Sequence, residues 1–350
     1  MPPVLDPRDT PPELFHRPSD GLTSRARRRL FGSVVGRGEF DKRIWSRRGI
    51  APQSILADIP DFPRLELRSK ITSPVDRFTK LVFRTHDGLP LEAVVIPLEK
   101  EGKYTVCLSS QVGCVMGCTF CATARMPTRR NLETWEIVDQ FIAAKGVAAE
   151  RGGQVSGAVF MGMGEPFLNY ERVIRAASIL CFPVEQAISA RAITVSTVGL
   201  VDKIDRYTAE AHPYRLSISI GAPTDEKRRE LVPVASRYPI KEVAAAAKRY
   251  TLSRGGRINI AYVCISGKNI FPDDARALGE LFNDTPIRLD LIDVFDTEGR
   301  YSPPTASELS TFRDALRHYL GQPVVRRYSG GKDIRAACGT LSGGASSPAP

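Results

Sequence analysis

The sequence lacks any run of about 18 apolar residues, so we expect that no segment spans a membrane. It has little histidine, and the four present show no ligand spacing, which argues against a histidine-bound metal. A signal peptide is not expected either, because residues 1–20 are Pro-rich and carry acidic side chains. The four histidines are His16, His86, His212 and His318.

The chain has 350 residues, which suits two domains or one domain with an appendage. Hydrophobic residues make up 42% and charged residues 25%, which predicts a sizeable core and excludes wholesale disorder. The net charge of +10 suggests a polyanionic partner such as nucleic acid, although codon bias toward arginine is an alternative explanation. Much of the excess lies in one stretch, with basic residues Arg25, Arg27, Arg28, Arg29, Arg37, Lys42, Arg43, Arg47 and Arg48 against Glu39 and Asp41.

The organisation of the chain changes near residue 75. Residues 1–75 are predicted to form a small, irregular, basic accessory module, residues 76–341 a core, and residues 342–350 a disordered tail. Within the core, Arg77–Thr85 and Leu89–Ile96 resemble two strands joined by a turn.

Alternating strands and helices follow this predicted hairpin. The predicted strands are Tyr104–Ser109, Ala158–Met161, Ala192–Ser196, Arg215–Ile220, Ile258–Ile265, Ile287–Ile292 and Val324–Arg327. The predicted helices are Leu132–Ala149, Tyr170–Leu180, Leu200–Ala209, Thr224–Leu231, Ile240–Ser253, Asp273–Phe282 and Ser307–Leu320. This pattern predicts an α/β fold with a parallel sheet, as a partial (β/α)6 barrel with a small N-terminal accessory domain. An open doubly wound sheet is the alternative.

Cysteine usage indicates metal or redox chemistry in a reducing, cytoplasmic environment. Seven cysteines are present, and four of them fall between Cys107 and Cys121, which does not suit a disulfide framework. Cys114, Cys118 and Cys121 form a tight C-x3-C-x2-C loop. Zinc usually takes four ligands, whereas three thiolates can hold three corners of a four-iron, four-sulfur cluster and leave one iron open.

This spacing, with Phe120 before the last cysteine, resembles the radical SAM superfamily. Flanking motifs resemble the RlmN/Cfr family of RNA methyltransferases, which act on adenine C2 or C8. These motifs are residues 109–114, 121–124, 161–166 with Asn169, 194–199, 216–219, 231–233 and 336–339. The resemblance runs from about Leu91 to Leu341. It implies a radical SAM core, one four-iron cluster bound by the three cysteines, and two molecules of S-adenosylmethionine per turnover.

The resemblance also implies roles for two further cysteines. Adenine C2 is electron-poor, so it cannot attack the methyl group of S-adenosylmethionine directly. In this family, the residue matching Cys338 first takes a methyl group as a thiolate. A 5′-deoxyadenosyl radical from a second S-adenosylmethionine then removes a hydrogen atom from that methyl group, and the carbon radical adds to the adenine. Cys107 would release the product by forming a disulfide with Cys338.

Further site residues follow from the same resemblance. Glu92 matches the proposed acceptor of the ring proton. Gly164, Glu165, Ser196 and Ser219 are expected to bind S-adenosylmethionine at successive strand ends. The implied partners are RNA (23S rRNA, with tRNA a further candidate) and a reducing donor such as flavodoxin or ferredoxin, with no membrane partner and a monomeric state.

The sequence also departs from the family pattern. Gly221 replaces a usual histidine, and Asp296 lies near the position of an asparagine that meets the cofactor. Because these changes bear on the substrate, two alternatives stay open. One is a radical SAM enzyme that modifies a peptide or small metabolite, and the other is a non-catalytic iron–sulfur protein.

Overall fold

The computed structural model describes residues 6–9, 22–57, 61–183 and 188–343. Its strands are β1 (Glu66–Thr72), β2 (Thr79–Arg84), β3 (Pro90–Pro97), β4 (Lys103–Cys107), β5 (Gln111–Val112), β6 (Arg130–Asn131), β7 (Gln154–Phe160), β8 (Ile193–Thr197), β9 (Arg215–Ser219), β10 (Ile258–Cys264), β11 (Ile287–Asp293) and β12 (Val324–Arg326). Its α-helices are α1 (Ser24–Phe31), α2 (Lys42–Arg47), α3 (Gln53–Ala57), α4 (Thr134–Glu150), α5 (Tyr170–Leu180), α6 (Val201–Ala209), α7 (Asp225–Leu231), α8 (Ile240–Arg254), α9 (Pro272–Leu281) and α10 (Ala306–Tyr319).

The main sheet carries the barrel. Its ten strands lie in the order β1-β2-β3-β4-β7-β8-β9-β10-β11-β12, and every neighbouring pair from β4 to β12 is parallel. A helix follows each of the six strands β4, β7, β8, β9, β10 and β11. The order is sequential, without the reversal that defines a doubly wound sheet. The partial (β/α)6 barrel is therefore confirmed, and the three-cysteine loop lies in the connection between β4 and α4.

A three-stranded antiparallel meander extends the sheet beyond β4. Strands β1 and β2 pair in antiparallel register, as do β2 with β3 and β3 with β4. The predicted hairpin of β2 and β3 is confirmed. The proposed module boundary at residue 75 falls in the turn between β1 and β2, so β1 contributes to the main sheet.

The N-terminal segment is helical, whereas the sequence pattern predicted an irregular module. Thr23 caps α1 by accepting a hydrogen bond from the Ala26 N–H at 3.1 Å, and a π-helix (Gly32–Gly36) continues α1. The apolar residues of this stretch belong to the same hydrophobic core as the barrel. Phe31 meets Phe182 edge-on, with ring centroids 5.1 Å apart. This contact fixes the module against the outside of the barrel.

Most of the described basic residues between Ser24 and Arg48 face solvent, although Lys42 is half-buried, and Arg8 earlier in the module is buried. Arg27 is buried, whereas the exposed arginines are Arg25, Arg28, Arg29, Arg37, Arg43, Arg47 and Arg48. Among the described residues, no helix is both long and apolar enough to cross a membrane. Residues 1–5, 10–21 and 344–350, which include His16 and most of the predicted tail, lie outside the described part of the chain.

Candidate active site

An open cavity lies at the carboxyl ends of the parallel strands, and its empty space, including the part open to solvent, is about 1380 Å³. In parallel α/β folds, ligand groups are presented at this end of the sheet. Nine of the predicted site residues line the cavity, namely Cys107, Cys114, Cys118, Cys121, Gly164, Glu165, Ser196, Ser219 and Cys338. The structure thus brings together residues that are more than 200 positions apart in the sequence. Two predicted residues, Glu92 and Asp296, do not line it.

The three-cysteine loop is shaped by glycines. Gly113 and Gly117 have φ angles of +68° and +71°, a region that other residues rarely adopt. A Cβ atom at Gly113 would also lie 2.4 Å from the Thr128 carbonyl oxygen. The loop closes with a hydrogen bond of 3.1 Å from the Cys121 N–H to the Cys118 carbonyl. All three thiols consequently face one space.

The donor set fits an iron–sulfur cluster better than a single ion. Zinc holds sulfur ligands at about 2.3 Å, which places tetrahedral sulfurs about 3.8 Å apart. Within the described chain, the Sγ atoms of Cys114, Cys118 and Cys121 do not all lie within 4.8 Å of one another. Burial, together with the neighbouring thiols, raises the pKa of Cys114 to about 12 and that of Cys118 well above its usual value. A positively charged iron centre would displace these protons and hold the thiolates.

Glu165 places a buried carboxylate in the same cavity. Its two oxygens accept hydrogen bonds from the N–H groups of Phe167 and Val198, both at 2.9 Å. Burial raises the pKa of Glu165 to about 7, and these hydrogen bonds oppose the shift. The preceding Gly164 has a φ of +98°, and a Cβ atom there would lie 2.5 Å from the Cβ of Gln111. The glycine thus allows the carboxylate segment to pack against the start of the cysteine loop.

Strand β11 places the carboxylate of Asp293 in the cavity, whereas the sequence predicted Asp296. The Asp296 carboxylate folds back into its own turn, where it accepts hydrogen bonds from the N–H of Arg300 at 2.9 Å and of Glu298 at 3.3 Å. Asp293 lines the cavity instead. One oxygen of Asp293 binds Arg326 at 2.7 Å, while Oδ1 is buried and has no hydrogen-bond partner among the residues that the structure describes. The sequence feature that could have identified Asp293 is its position directly after the apolar run of β11.

The departure at Gly221 lies outside the cavity lining. Its φ is +72°, and a Cβ atom there would lie 2.7 Å from Cγ2 of Val232. The Gly221 carbonyl accepts a hydrogen bond of 2.8 Å from Asn269. A histidine in this backbone conformation would be strained, so the loop as it is built here favours glycine.

Cys107 and Cys338 meet at the side of the cavity formed by β4. Both thiols are free, and the Cys338 thiol lies close enough to raise the pKa of Cys107. Burial first, and then the Cys338 thiol, raise the pKa of Cys107 to about 12, whereas the Arg327 guanidinium lowers it. Arg327 also lines the cavity. The pair can therefore exchange sulfur bonds once Cys107 is deprotonated.

The segment that carries Cys338 is held at several points. Its N–H binds the Ser329 hydroxyl at 3.2 Å. The Gly339 carbonyl accepts a hydrogen bond of 2.7 Å from the Ala122 N–H, and the Leu341 carbonyl accepts one of 2.6 Å from the Thr123 hydroxyl. The C-terminal segment is thus tied directly to the cysteine loop.

Glu92 lies beneath this segment and anchors it. One carboxylate oxygen accepts hydrogen bonds from the N–H groups of Ser342 at 2.9 Å and Gly343 at 3.0 Å. The other lies 3.2 Å from the Lys80 ammonium, with both side chains only 1% exposed. Residues 342 and 343, placed in the disordered tail by the sequence analysis, are therefore bound in the structure.

Comparisons with known proteins agree with this geometry. The family model of the radical SAM superfamily matches residues 108–276. A protein of Myxococcus xanthus, named a probable RNA methyltransferase, is 49% identical over 279 residues, covering 79% of this chain and 76% of the relative. The dual-specificity RNA methyltransferase RlmN of Geotalea uraniireducens is 40% identical, covering 78% of this chain and 77% of that protein. The crystal structure of a radical SAM methyltransferase from Sphaerobacter thermophilus superposes with a TM-score of 0.90 at 36% identity, covering 98% of this chain and all of the other.

Proposed function

The chain belongs to the RlmN-type family of radical SAM RNA methyltransferases, and from this premise we propose that it methylates C2 of an adenine in RNA through a methyl group held on Cys338. The observation that carries the proposal is the position of Cys338. Its thiol shares one cavity with the three-cysteine loop and with Cys107. A methyl group on that sulfur would lie in the same space as a cofactor bound at the loop.

Cys114, Cys118 and Cys121 would hold the four-iron cluster that membership of this family implies. When bound there, the cluster would supply the electron that releases a 5′-deoxyadenosyl radical from S-adenosylmethionine. Glu165 would bind the ammonium group of S-adenosylmethionine, because a buried carboxylate stabilises a nearby cation. Ser196 and Ser219, at the ends of β8 and β9, would donate hydrogen bonds to the same molecule.

Cys338 and Cys107 divide the methyl transfer between them. Cys338, as a thiolate, would attack the methyl group of one S-adenosylmethionine and become a methyl thioether, with S-adenosylhomocysteine as the leaving group. The methyl carbon would lose a hydrogen atom to a radical from a second S-adenosylmethionine and then join the adenine ring as an adduct radical. The adduct would give up one electron, which the oxidised iron–sulfur centre would take back, and the ring proton, which a base would accept. Cys107 then attacks the Cys338 sulfur, forms a disulfide and releases the methylated RNA. Each turnover would consume two molecules of S-adenosylmethionine.

Glu92 is proposed to accept the proton that leaves the adenine ring. It shares the face of β3 with Val94 and Ile96, which line the cavity. In the structure its carboxylate is occupied by the N–H groups of Ser342 and Gly343. The role thus requires the C-terminal segment to move away after Cys338 has formed the adduct. Gly339, with a φ of +81°, lies within this segment.

The partners follow from this chemistry. The exposed arginines of the N-terminal module would bind phosphates of 23S rRNA, with tRNA as a further substrate. An external donor such as flavodoxin or ferredoxin would reduce the cluster. We propose that the protein acts as a monomer in the cytoplasm.

The proposal is tested by labelling RNA with S-adenosylmethionine that carries an isotopic methyl group. The anaerobically purified Cys338→Ala variant is expected to label no RNA, whereas Cys107→Ala should accumulate a covalent protein–RNA adduct. Cys181→Ala is the matched control, because that thiol lies outside the cavity lining. Nucleoside mass spectrometry should locate the methyl group on adenine C2.

Two results would contradict the proposal. Normal RNA methylation by both cysteine variants would exclude methyl transfer through a thioether on Cys338. If the wild-type protein produces 5′-deoxyadenosine but labels no RNA, the substrate is a peptide or small metabolite.

A further inference from the structure

An aromatic ring stands at the mouth of the cavity with most of its surface in water. Tyr328 lines the cavity, yet it is 68% exposed. Large aromatic side chains usually bury most of their area, since their burial contributes strongly to the core. Core packing therefore does not explain why this ring is exposed at the entrance of the site.

The ring is nevertheless fixed in position. Its hydroxyl donates a hydrogen bond of 2.9 Å to the carboxylate of Asp76. The same carboxylate oxygen accepts a hydrogen bond of 2.8 Å from the Gly331 N–H. Phe78, which lines the cavity, contacts Tyr328 edge-on with ring centroids 6.0 Å apart. One part of the ring is thus anchored by its neighbours, and the rest is presented to solvent.

The ring also belongs to the element that carries the methyl-accepting thiol. The next residue, Ser329, accepts the hydrogen bond from the Cys338 N–H. Two arginines precede it in the chain, and Arg326, which pairs with Asp293, is exposed on the edge strand β12. An aromatic surface beside arginines is the combination with which proteins bind unpaired nucleobases, because every base can stack on a flat ring while the cations attract phosphates.

We propose that Tyr328 is a stacking platform for the nucleobase that flanks the target adenine in the RNA. The proposal rests on the proposed function, because it takes RNA as the substrate. An enzyme that reacts at a ring carbon must take the base out of its stack, and this separates it from its neighbour. Stacking of the neighbour on Tyr328 replaces the lost contact and leaves the adenine directed toward Cys338. Tyr328 is in this sense a positioning residue, not a catalytic one.

The test uses the anaerobic holoenzyme and a transcript that contains the adenine methylated by the wild-type protein. The fluorescent base 2-aminopurine replaces the base next to that adenine. Tyr328→Leu is expected to weaken RNA binding and raise the KM for RNA about tenfold or more, with kcat nearly unchanged. Tyr328→Phe and Tyr328→Trp keep a flat ring and should bind like the wild type, with quenched 2-aminopurine fluorescence. Tyr319→Leu removes an exposed tyrosine outside the cavity lining and is the matched control.

The outcomes separate this inference from the proposed function. Methylation of Cys338 without RNA, measured by protein mass spectrometry, should be equal in all variants. If Tyr328→Leu binds and methylates RNA like the wild type, the stacking role is excluded while the function stands. If Tyr328→Phe is impaired as much as Tyr328→Leu, the hydroxyl and not the ring is responsible, which also overturns the inference. A wild-type protein that methylates no RNA overturns both.

Discussion

The ammonium group of Lys80 lies 3.2 Å from the carboxylate of Glu92, and both side chains are almost fully buried. The two residues lie on neighbouring strands, β2 and β3. Removal of one partner would leave an uncompensated charge inside the protein, which costs far more than the net stabilisation that the intact pair supplies. Because Glu92 also binds the N–H groups of Ser342 and Gly343, the pair couples the sheet to the segment that carries Cys338.

We therefore expect Lys80→Met to lower the free energy of unfolding by about 3–5 kcal/mol. The double variant Lys80→Met/Glu92→Gln should recover a large part of this loss, because it removes both charges. Urea denaturation of the anaerobic protein measures the difference. Equal stability of the single and double variants would show that the buried charge is not the cause.

The reactivity of Cys107 should depend steeply on pH. Burial raises the pKa of this thiol to about 12, so it is protonated near neutral pH, and the attacking thiolate becomes more abundant as the pH rises. The rate at which the protein–RNA adduct resolves should then increase about tenfold per unit between pH 7 and pH 9. Rapid-quench single-turnover experiments measure this rate.

Arg327 provides a second test of the proposal that Cys107 is the attacking thiol. Its guanidinium lowers the pKa of Cys107, so Arg327→Gln should slow adduct resolution at every pH in this range. The slope with pH should stay unchanged. A rate that is flat with pH would show that another step, or another thiol, limits release.

Most of the barrel could be predicted from the sequence, because its strands are short apolar runs that alternate with amphipathic helices. Helix α5 coincides with the predicted range Tyr170–Leu180, and the other predicted core elements differ from the observed ones by a few residues at their ends, whereas the short strands β5 and β6 were not predicted. The N-terminal helices were missed because their apolar residues are interleaved with arginines. Their helical state becomes evident only when Phe31 and its neighbours pack on the barrel.

Site residues within a recognisable motif could be predicted from the sequence. Residues whose orientation depends on packing could not. The three cysteines of the loop and Glu165, which local motifs predicted as site residues, do line the cavity. By contrast, Asp293 and Asp296 are three residues apart at the end of one strand, and only the turn that ties Asp296 to Arg300 shows which carboxylate faces the cavity. The exposed ring of Tyr328 had no sequence signal, since a single tyrosine is more often part of a core.

Binding of S-adenosylmethionine should depend on Glu165 and Asp293. Glu165→Gln removes the charge that would attract an ammonium group, and we expect the dissociation constant to rise about tenfold. Asp293→Asn should weaken binding less, because Asp293 already forms an ion pair with Arg326. Glu99→Gln, an exposed carboxylate in a loop, is the control. Equilibrium dialysis measures the affinity without turnover, and an unchanged affinity in Glu165→Gln would place the ammonium group elsewhere.

Gly164 provides a test of how closely the backbone must approach the cysteine loop. Alanine at this position would bring its Cβ to 2.5 Å from the Cβ of Gln111 and 2.8 Å from its backbone nitrogen, in addition to the strain of a φ of +98°. Gly255→Ala is a matched control, since it shares a positive φ of +70° but has no atom within 4 Å of the added Cβ.

Both glycine variants should lose about 1 kcal/mol or more of stability through backbone strain. Only Gly164→Ala should also displace the neighbouring Glu165 and weaken binding of S-adenosylmethionine. Thermal denaturation and equilibrium dialysis measure the two effects separately. If both variants bind S-adenosylmethionine equally well, the close contact with Gln111 does not position Glu165, and the glycine is required only for its conformation.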